Sequence, residues 1–202
     1  MAAVIENPTE VKTDSEEILR PRRFTVEEYH RMIDAEILDG DEQVELIEGE
    51  ILPMAAKSIK HVAGVRRVGK CLSKYLGERV FIAAQDPIHL DDASEPEPDV
   101  IVAVLSETEY EDHHPTPSEL LLVVEVAETS FARDRNRKAL LYAQAGIIQY
   151  CILNLRDHEV EDYREPGPSG YRRKQTYTAD QSFNLVAFPE IQISIAELLP
   201  RR

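Results

Sequence analysis

The chain has 202 residues, of which 43% are hydrophobic, and its formal net charge is −15. This length and hydrophobic content suit one globular domain with a sizeable core. The net charge excludes a uniformly basic nucleic-acid binder, because such proteins neutralise phosphates with clustered Lys and Arg. The sequence has no early apolar segment and no run of about 18 apolar residues. It therefore predicts neither a signal peptide nor a membrane span, and we expect a cytoplasmic protein.

The charge is unevenly distributed along the chain. Residues 84–119 contain eleven acids and no Lys or Arg, whereas residues 57–79 contain seven Lys or Arg and one acid. A protein that is acidic on average can still present a basic surface locally. The composition therefore leaves a nucleic-acid partner open.

The N-terminal part divides into a predicted tail and the start of a domain. Residues 1–21 are polar and acidic without sustained periodicity, which is typical of a flexible tail. We expect residues 22–202 to form a single domain. Thr25 and Glu28 have the spacing of a capping box and begin a short amphipathic helix that extends to about Ala35.

A hairpin is predicted around Glu48-Gly49, with its strands between Val44 and Met54. Apolar residues flank the glycine turn on both sides, as a two-stranded unit requires. Glu45 lies on the first strand of this hairpin. From the spacing alone, an exposed strand carboxylate is the ordinary interpretation of Glu45.

A basic amphipathic helix is predicted from about Ser58 to Leu76, because apolar residues recur every three or four positions. His61 lies in its first turn, where a cap-region surface residue is the ordinary interpretation. Arg66, Lys70 and Lys74 are four residues apart and share one face. That face is either a solvated helix surface or a surface that contacts the phosphate backbone of a nucleic acid.

Two short apolar runs indicate the centre of the sheet. The first follows Glu97-Pro98-Asp99 and the second, residues 120–124, ends at Glu125. An antiparallel pair folded about Asp112 places Leu105 opposite Glu119 and Asp99 opposite Glu125. A further strand is predicted from Arg79 to Leu90, with a bulge or edge turn at Asp86-Pro87.

Two carboxylates on directly opposed strand positions have Cβ atoms only about 5 Å apart and repel each other unless a positive group lies between them. A divalent cation supplies that charge. Hard cations such as Mg²⁺ bind one or two carboxylates together with phosphate oxygens and water, which indicates phosphate chemistry. The structural alternative is that Asp99 is a hydrated charge at the start of its strand and that Glu125 pairs with an arginine.

A helix is predicted from Thr129 or Ser130 to Ala145, and Gly146 ends it. The strand 147–155 follows, so that strand, helix and strand form a crossover with parallel pairing. Lys138 lies two turns into the helix. It either reaches the acids at the end of the preceding strand or forms a helical ion pair with Asp134.

These motifs together resemble the putative restriction endonuclease family of small bacterial proteins, a branch of the PD-(D/E)XK nuclease superfamily. The resemblance covers about residues 22–165 and rests on an ordered set of motifs: 45–50 (ELIEGE), His61, 97–99 (EPD), 123–126 (VVEV), Asp134 with Lys138, and 142–147 (YAQAGI). The superfamily pattern departs at one position. The lysine is expected two residues after Glu125, but position 127 is alanine.

The resemblance implies a restriction-endonuclease-like α/β or α+β core with a mixed central sheet flanked by helices. It implies that Asp99 and Glu125 bind Mg²⁺ or Mn²⁺, that Glu45 is a third acid and that His61 is auxiliary. It also implies that Lys138, on the next helix, assists the attacking water, as in branches that relocate the lysine. A homodimer follows from the same resemblance, because relatives pair to place two sites across a duplex.

We therefore predict a Mg-dependent endodeoxyribonuclease, with DNA as partner and nucleic-acid contacts at Arg66, Lys70 and Lys74. Two alternatives stay open at this point. One is a non-catalytic relative that keeps the fold for binding or oligomerisation. The other is a hydrolase of a smaller phosphoester, which the acidic net charge favours.

Overall fold

A computed structural model describes residues 21–39 and 42–200 of the chain. The predicted flexible tail, residues 1–21, falls almost wholly outside this range. The strands in the described part are β1 (Val44–Ile47), β2 (Glu50–Pro53), β3 (Phe81–Ala83), β4 (Val100–Ala103), β5 (Leu120–Ala127), β6 (Gln149–Asn154), β7 (Glu159–Arg164), β8 (Arg173–Thr178), β9 (Ser182–Asn184) and β10 (Gln192–Ser194). The helices are α1 (Val26–Asp34), α2 (Ile59–Leu76), α3 (Phe131–Arg133), α4 (Ala139–Gln144) and α5 (Ile195–Leu198).

The central sheet has six strands in the order β3-β4-β5-β6-β7-β8. Only β5 and β6 pair in parallel, and the other neighbours are antiparallel. The chain between β5 and β6 is helical, as a parallel crossover requires. The prediction of a mixed central sheet flanked by helices is confirmed.

Side chains along each strand alternate between the two faces of the sheet. Both faces of this sheet are apolar, and helices cover each of them in a separate core. Val102 and Val124 pack with the α2 residues Val65 and Leu72 in one core. Ile101 and Val123 point the other way, into a core that contains Tyr142 of α4 and Ile47 of β1. A position on β4 or β5 thus determines which helices its side chain can meet.

The predicted pairing of β4 with β5 is confirmed from Val100–Val124 to Val102–Leu122. The same register, continued by one position, brings Asp99 beside Glu125. Beyond Val102 the register shifts, so that Ala103 pairs with Leu120 and Leu121 is the additional residue of a β-bulge.

The bulge overturns the prediction for the far end of this pair. The backbone N–H of Val104, rather than that of Leu105, donates a hydrogen bond of 2.9 Å to the carbonyl oxygen of Glu119. The prediction that Leu105 faces Glu119 is therefore wrong. The apolar pattern of Leu120-Leu121-Leu122 contains no signal for the additional residue.

The predicted strand from Arg79 to Leu90 is much shorter in the structure, since β3 contains only Phe81–Ala83. One 3₁₀ turn, Gly77–Arg79, precedes it. Gln85 adopts a left-handed conformation with φ of 62°, which turns the chain out of the sheet. The remainder of the predicted strand forms a loop along the entrance to β4.

Local signals give the helix and hairpin boundaries correctly. Thr25 caps α1 with the predicted capping box, and Ser58 caps α2 by accepting from the His61 N–H. β1 and β2 form the predicted hairpin around Glu48-Gly49. Within the described residues, no helix has both the length and the apolar character that crossing a membrane requires.

The crossover between β5 and β6 is one helical segment with an irregular centre. A π-helical turn, Asp134–Lys138, lies between α3 and α4, and the Ala139 N–H bonds to the carbonyl oxygen of Asp134, five residues back. Turns of this kind are rare and occur frequently at functional sites. Gly146 ends the segment with φ of 86°, as predicted.

Candidate active site

A cavity of about 50 Å³ lies at the edge of the sheet where β4 begins and β5 ends. Its walls come from the β1–β2 hairpin, the first turn of α2, the approach to β4 and the start of the crossover helix. The acidic residues lining it are Glu45, Glu97, Asp99, Glu125, Glu128 and Asp134. The basic residues lining it are Lys57, Arg133 and Lys138, and His61 completes the charged set.

Asp99 is held in place by backbone and side-chain donors. Its Oδ2 accepts a hydrogen bond of 2.8 Å from the Val126 N–H and lies 3.0 Å from Nε2 of His61. Val126 is the residue after Glu125, so this backbone bond fastens the Asp99 side chain to the end of β5. His61, predicted as auxiliary, reaches Asp99 because the first turn of α2 ends against this edge of the sheet.

Lys138 joins two of the predicted acids. Its ammonium lies 2.9 Å from Oε1 of Glu125 and 3.0 Å from Oε2 of Glu45. The three side chains are at most 5% exposed. A lysine from the helix after β5 thus occupies the position between a β1 acid and a β5 acid.

Tyr142, one turn after Lys138, bonds to the same Glu125 oxygen. Its hydroxyl donates across 3.0 Å. Residues four apart on a helix share a face, so Lys138 and Tyr142 reach Glu125 together. Burial and the neighbouring acids raise the pKa of Tyr142 well above its ordinary value, which keeps its hydroxyl a donor.

The predicted alternative of an Asp134–Lys138 ion pair is not adopted. Oδ2 of Asp134 accepts a hydrogen bond of 2.6 Å from Ser130, while the Lys138 ammonium is occupied by Glu45 and Glu125. The alternative of an arginine partner for Glu125 is also wrong, because its partners are Lys138 and Tyr142.

Burial dominates the electrostatics of the acids. Desolvation, opposed by Lys138 and assisted by Asp134 and Asp99, raises the pKa of Glu125 to about 8. Desolvation also raises the pKa of Asp134 and of Glu97. The site therefore carries more carboxylates than its own cations can neutralise.

Burial opposes the charge of Lys138 as well, but Glu125, Glu45 and Asp134 outweigh that effect and raise its pKa. Lys138 is consequently an ammonium over the physiological range. It can donate hydrogen bonds and stabilise negative charge, but it holds its proton too firmly to serve as a general base.

The donor chemistry suits a divalent cation, but in the described part of the chain Glu45, Asp99 and Glu125 do not bring three ligand atoms within 4.8 Å of one another. Oε1 of Glu45 is buried and accepts no hydrogen bond from the described residues, and its ion-pair partner Arg133 lies 3.7 Å away. A bound cation could use the hydrogen-bonding capacity that this oxygen has left. When all three acids are ionised, Glu45, Asp99, Glu125 and Lys138 carry a formal charge of −2 together. Hard oxygen ligands of this kind suit Mg²⁺ or Mn²⁺.

The basic face of α2 lies elsewhere. Arg66, Lys70 and Lys74 are all exposed and do not line the cavity. Lys74 pairs with Glu197 of α5 at 2.7 Å. The helix begins beside Asp99 and leads away from the cavity, so its exposed basic face forms a separate strip.

Some residues at the site had no individual role in the sequence interpretation. Glu97, Lys57 and Arg133 line the cavity, and Tyr142 contacts Glu125 from outside that lining. Lys57 lies 3.6 Å from Glu97, and Arg133 lies 3.7 Å from Glu45. Tyr142 could have been found from its spacing of four residues after Lys138. Lys57 precedes α2, and Arg133 is the last residue of α3. The placement of both helices depends on tertiary packing, and nothing in the sequence neighbourhood of these residues distinguishes them.

Comparisons with known proteins agree on a family and a fold. The model of the Uma2 family, described as "Putative restriction endonuclease", matches residues 26–196. A crystal structure of a putative nuclease from Anabaena variabilis ATCC 29413 is similar over 87% of this chain and 97% of that one, with a TM-score of 0.66 and 16% sequence identity. The curated proteins contain no match. The fold is thus that of a nuclease-like protein.

Proposed function

The chain belongs to the Uma2 family of putative restriction endonucleases, and we propose that it hydrolyses nucleic-acid phosphodiester bonds, with DNA as substrate and Mg²⁺ or Mn²⁺ as cofactor. The observation that carries the proposal is the ion triad of Glu45, Glu125 and Lys138 beside Asp99 in one cavity. Buried acids in excess of cations are costly to the fold. Their presence is understandable if the excess charge binds a divalent cation.

In this proposal Asp99 and Glu125 bind the metal, and Glu45 binds it directly or through water. Glu45 contributes the buried Oε1, which accepts no hydrogen bond from the described residues and lies 3.7 Å from Arg133. When bound, a divalent cation lowers the pKa of water and stabilises charge on the phosphoryl oxygens. The residues themselves position that cation, because Asp99 is fixed by the Val126 N–H and by His61.

Lys138 acts as a fixed ammonium. Its raised pKa keeps the proton on Nζ, so it orients the attacking water by hydrogen bonding and offsets the negative charge that develops on the phosphate. The hydroxyl of Tyr142 donates a hydrogen bond to Glu125 and so keeps this carboxylate in place beside Lys138. His61 positions Asp99 and does not need to contact substrate.

Phosphate binding needs further positive groups near the cavity, and Lys57 and Arg133 are suited to it. Their carboxylate partners are 3.6 and 3.7 Å away, longer than the 2.7–2.9 Å of strong charge-assisted hydrogen bonds. A substrate phosphate can therefore compete for them. Arg66, Lys70 and Lys74 would contact the backbone of a longer nucleic acid beyond the cavity.

The test is a cleavage assay on supercoiled plasmid and on single-stranded DNA, with Mg²⁺ or Mn²⁺. Wild type should cleave and Asp99→Asn should not. Asp86→Asn is the matched control, because Asp86 is an exposed Asp thirteen residues earlier in the same acidic region. Metal binding without cleavage of any nucleic acid would support a non-catalytic relative. Cleavage of a small phosphodiester without affinity for DNA would support the smaller substrate.

The predicted homodimer is part of the proposal. Two copies would place two cavities on one duplex, so that both strands could be cut in one encounter. Light scattering coupled to gel filtration measures this state, and a monomer with single-strand nicking activity would contradict the pairing.

A further inference from the structure

A second cleft of about 810 Å³ lies on the other side of the segment that leads into β4. Four of the six histidines of the chain line it: His30, His89, His113 and His114. The polar groups of the first cavity are mainly carboxylates, whereas those of the second include several imidazole nitrogens. The two clefts thus offer different donors to a ligand.

Glu95 is the buried group at the base of this second cleft. Its side chain is 4% exposed, with Oε1 2.6 Å from Nε2 of His30 and Oε2 3.7 Å from Nδ1 of His89. Among the described residues, no Lys or Arg forms an ion pair with Glu95. A carboxylate buried to this degree ordinarily has a charged partner, and the neighbours of Glu95 here are imidazoles.

His114 brings a third donor to the same point. The ligand atoms of His30, Glu95 and His114 all lie within 4.8 Å of one another. Two ligands of one Zn²⁺, each about 2.1 Å from the metal, are at most about 4.2 Å apart. His30 is 46% exposed, so rotation of its ring can close the remaining difference without disturbing the core.

We propose that His30, Glu95 and His114 form a second metal site, which takes Zn²⁺. Two imidazole nitrogens and one carboxylate oxygen are a donor set that suits Zn²⁺, whereas the oxygen-only acids of the first cavity suit Mg²⁺ or Mn²⁺. Three protein ligands leave a fourth position, open to the cleft, for water. The two sites would therefore differ in metal preference.

Such a metal would join three segments that are distant in sequence. His30 lies on α1, Glu95 precedes β4, and His114 lies in the loop between β4 and β5. The Glu95 N–H donates to the carbonyl oxygen of Leu46 across 2.8 Å, and Leu46 follows Glu45. A metal on Glu95 would thus brace both the hairpin that carries Glu45 and the segment Glu95–Asp99.

The experiment is a Zn²⁺ titration by calorimetry of the Asp99→Asn protein in excess Mg²⁺, so that the first site does not contribute and cleavage is not needed. One Zn²⁺ should bind per chain. His30→Ala, His114→Ala and Glu95→Gln should each weaken binding at least about tenfold, since even the loss of a ligand's own hydrogen-bond partner typically costs 10–100-fold. Co²⁺ in place of Zn²⁺ should give visible absorption bands that the same variants lose.

His113→Ala is the matched control, because His113 lines the same cleft but pairs with Asp112 and Glu119. Its Zn²⁺ affinity should equal that of the parent protein. The proposal is overturned if the parent binds no Zn²⁺. It is also overturned if His30→Ala and His114→Ala bind as well as the parent does, or if His113→Ala loses as much affinity as they do.

Discussion

Lys138 reaches Glu125 from the helix that follows the strand, with 2.9 Å between the ammonium and Oε1. Position 127, where the superfamily pattern places a lysine, is alanine and points into the core. An ammonium group thus lies beside Glu45 and Glu125 although position 127 is not a lysine. This buried contact gives Lys138 a structural role beside the chemical role that we propose for it, which leads to the first prediction.

Lys138→Ala should remove cleavage and also destabilise the metal-free protein by about 3–5 kcal/mol, the usual cost of breaking a buried ion pair on one side. The substitution leaves Glu45 and Glu125 buried with no ammonium between them. If Lys138 formed the helical pair with Asp134, the fold would tolerate this change. The buried contacts with Glu45 and Glu125 reverse that expectation.

Urea unfolding in the presence of a chelator measures the loss, and saturating Mg²⁺ should recover part of it. Lys70→Ala, at an exposed helical position, is the matched control and should change stability by less than about 0.5 kcal/mol. Equal stability of Lys138→Ala and wild type would mean that the contacts of Lys138 with Glu45 and Glu125 do not stabilise the folded protein.

Asp99→Asn should abolish the rise in thermal stability that Mg²⁺ or Mn²⁺ produces. A cation that binds only the folded state at about 100 times its Kd stabilises by about 2.7 kcal/mol. Thermal melts with and without metal measure the effect, and Asp86→Asn should retain it in full. A rise of the same size in Asp99→Asn would place the metal elsewhere.

The free energy of unfolding of the metal-free protein should fall as pH rises from 4.5 towards 8. Burial raises the pKa of Glu125 from its ordinary 4.5 to about 8, so across this range the folded state binds a proton that the unfolded state has lost. One such proton contributes a slope of up to about 1.4 kcal/mol per pH unit, with stability decreasing as pH increases.

Glu125→Gln removes this titration and should give a flatter dependence. Urea unfolding of both proteins across the range isolates the difference, because the other ionisable groups are common to both. Parallel curves for wild type and Glu125→Gln would show that Glu125 titrates normally.

Much of the fold follows from the local pattern, and less of the site does. The β4–β5 register could be predicted near Asp99 because both strands have clear apolar runs of similar length. The bulge at Leu121 could not, since three leucines in a row fit either register. The target of Lys138 depends on how the crossover helix packs over β5, and helical spacing alone favoured Asp134.

The histidines of the second cleft show the same limit more clearly. His30, Glu95 and His114 come from a helix, an extended segment and a loop, and no periodicity relates them. Proximity here results from tertiary packing, for example from the hydrogen bond between the Val26 N–H and the carbonyl oxygen of Asp92. Sequence reasoning therefore identified the acids beside the strands and missed this cluster.

Replacing Arg66 and Lys70 together with Gln should weaken binding to duplex DNA and reduce the salt slope by up to about two, if each contacts one phosphate. Lys74 pairs with Glu197, so its replacement should add less. Fluorescence anisotropy with the Asp99→Asn protein over a range of salt concentrations measures the slope without cleavage.

Arg172→Gln with Arg173→Gln is the matched control for that pair, since both arginines are exposed at the far edge of the sheet. It should leave the slope unchanged. The reverse result, with the slope lowered only by the control pair, would move the nucleic-acid surface to β8.

The π-helical turn at Asp134–Lys138 has a consequence for how relatives align with this chain. A π turn contains one residue more than an α turn, so the turn accommodates an inserted residue while the helix on either side continues. Loss of one residue here would restore a regular helix and still present a lysine and a tyrosine to Glu125. The number of residues between the β5 acid and the helical lysine is therefore free to differ by one among homologues, and a fixed-spacing motif would overlook members that keep the same chemistry.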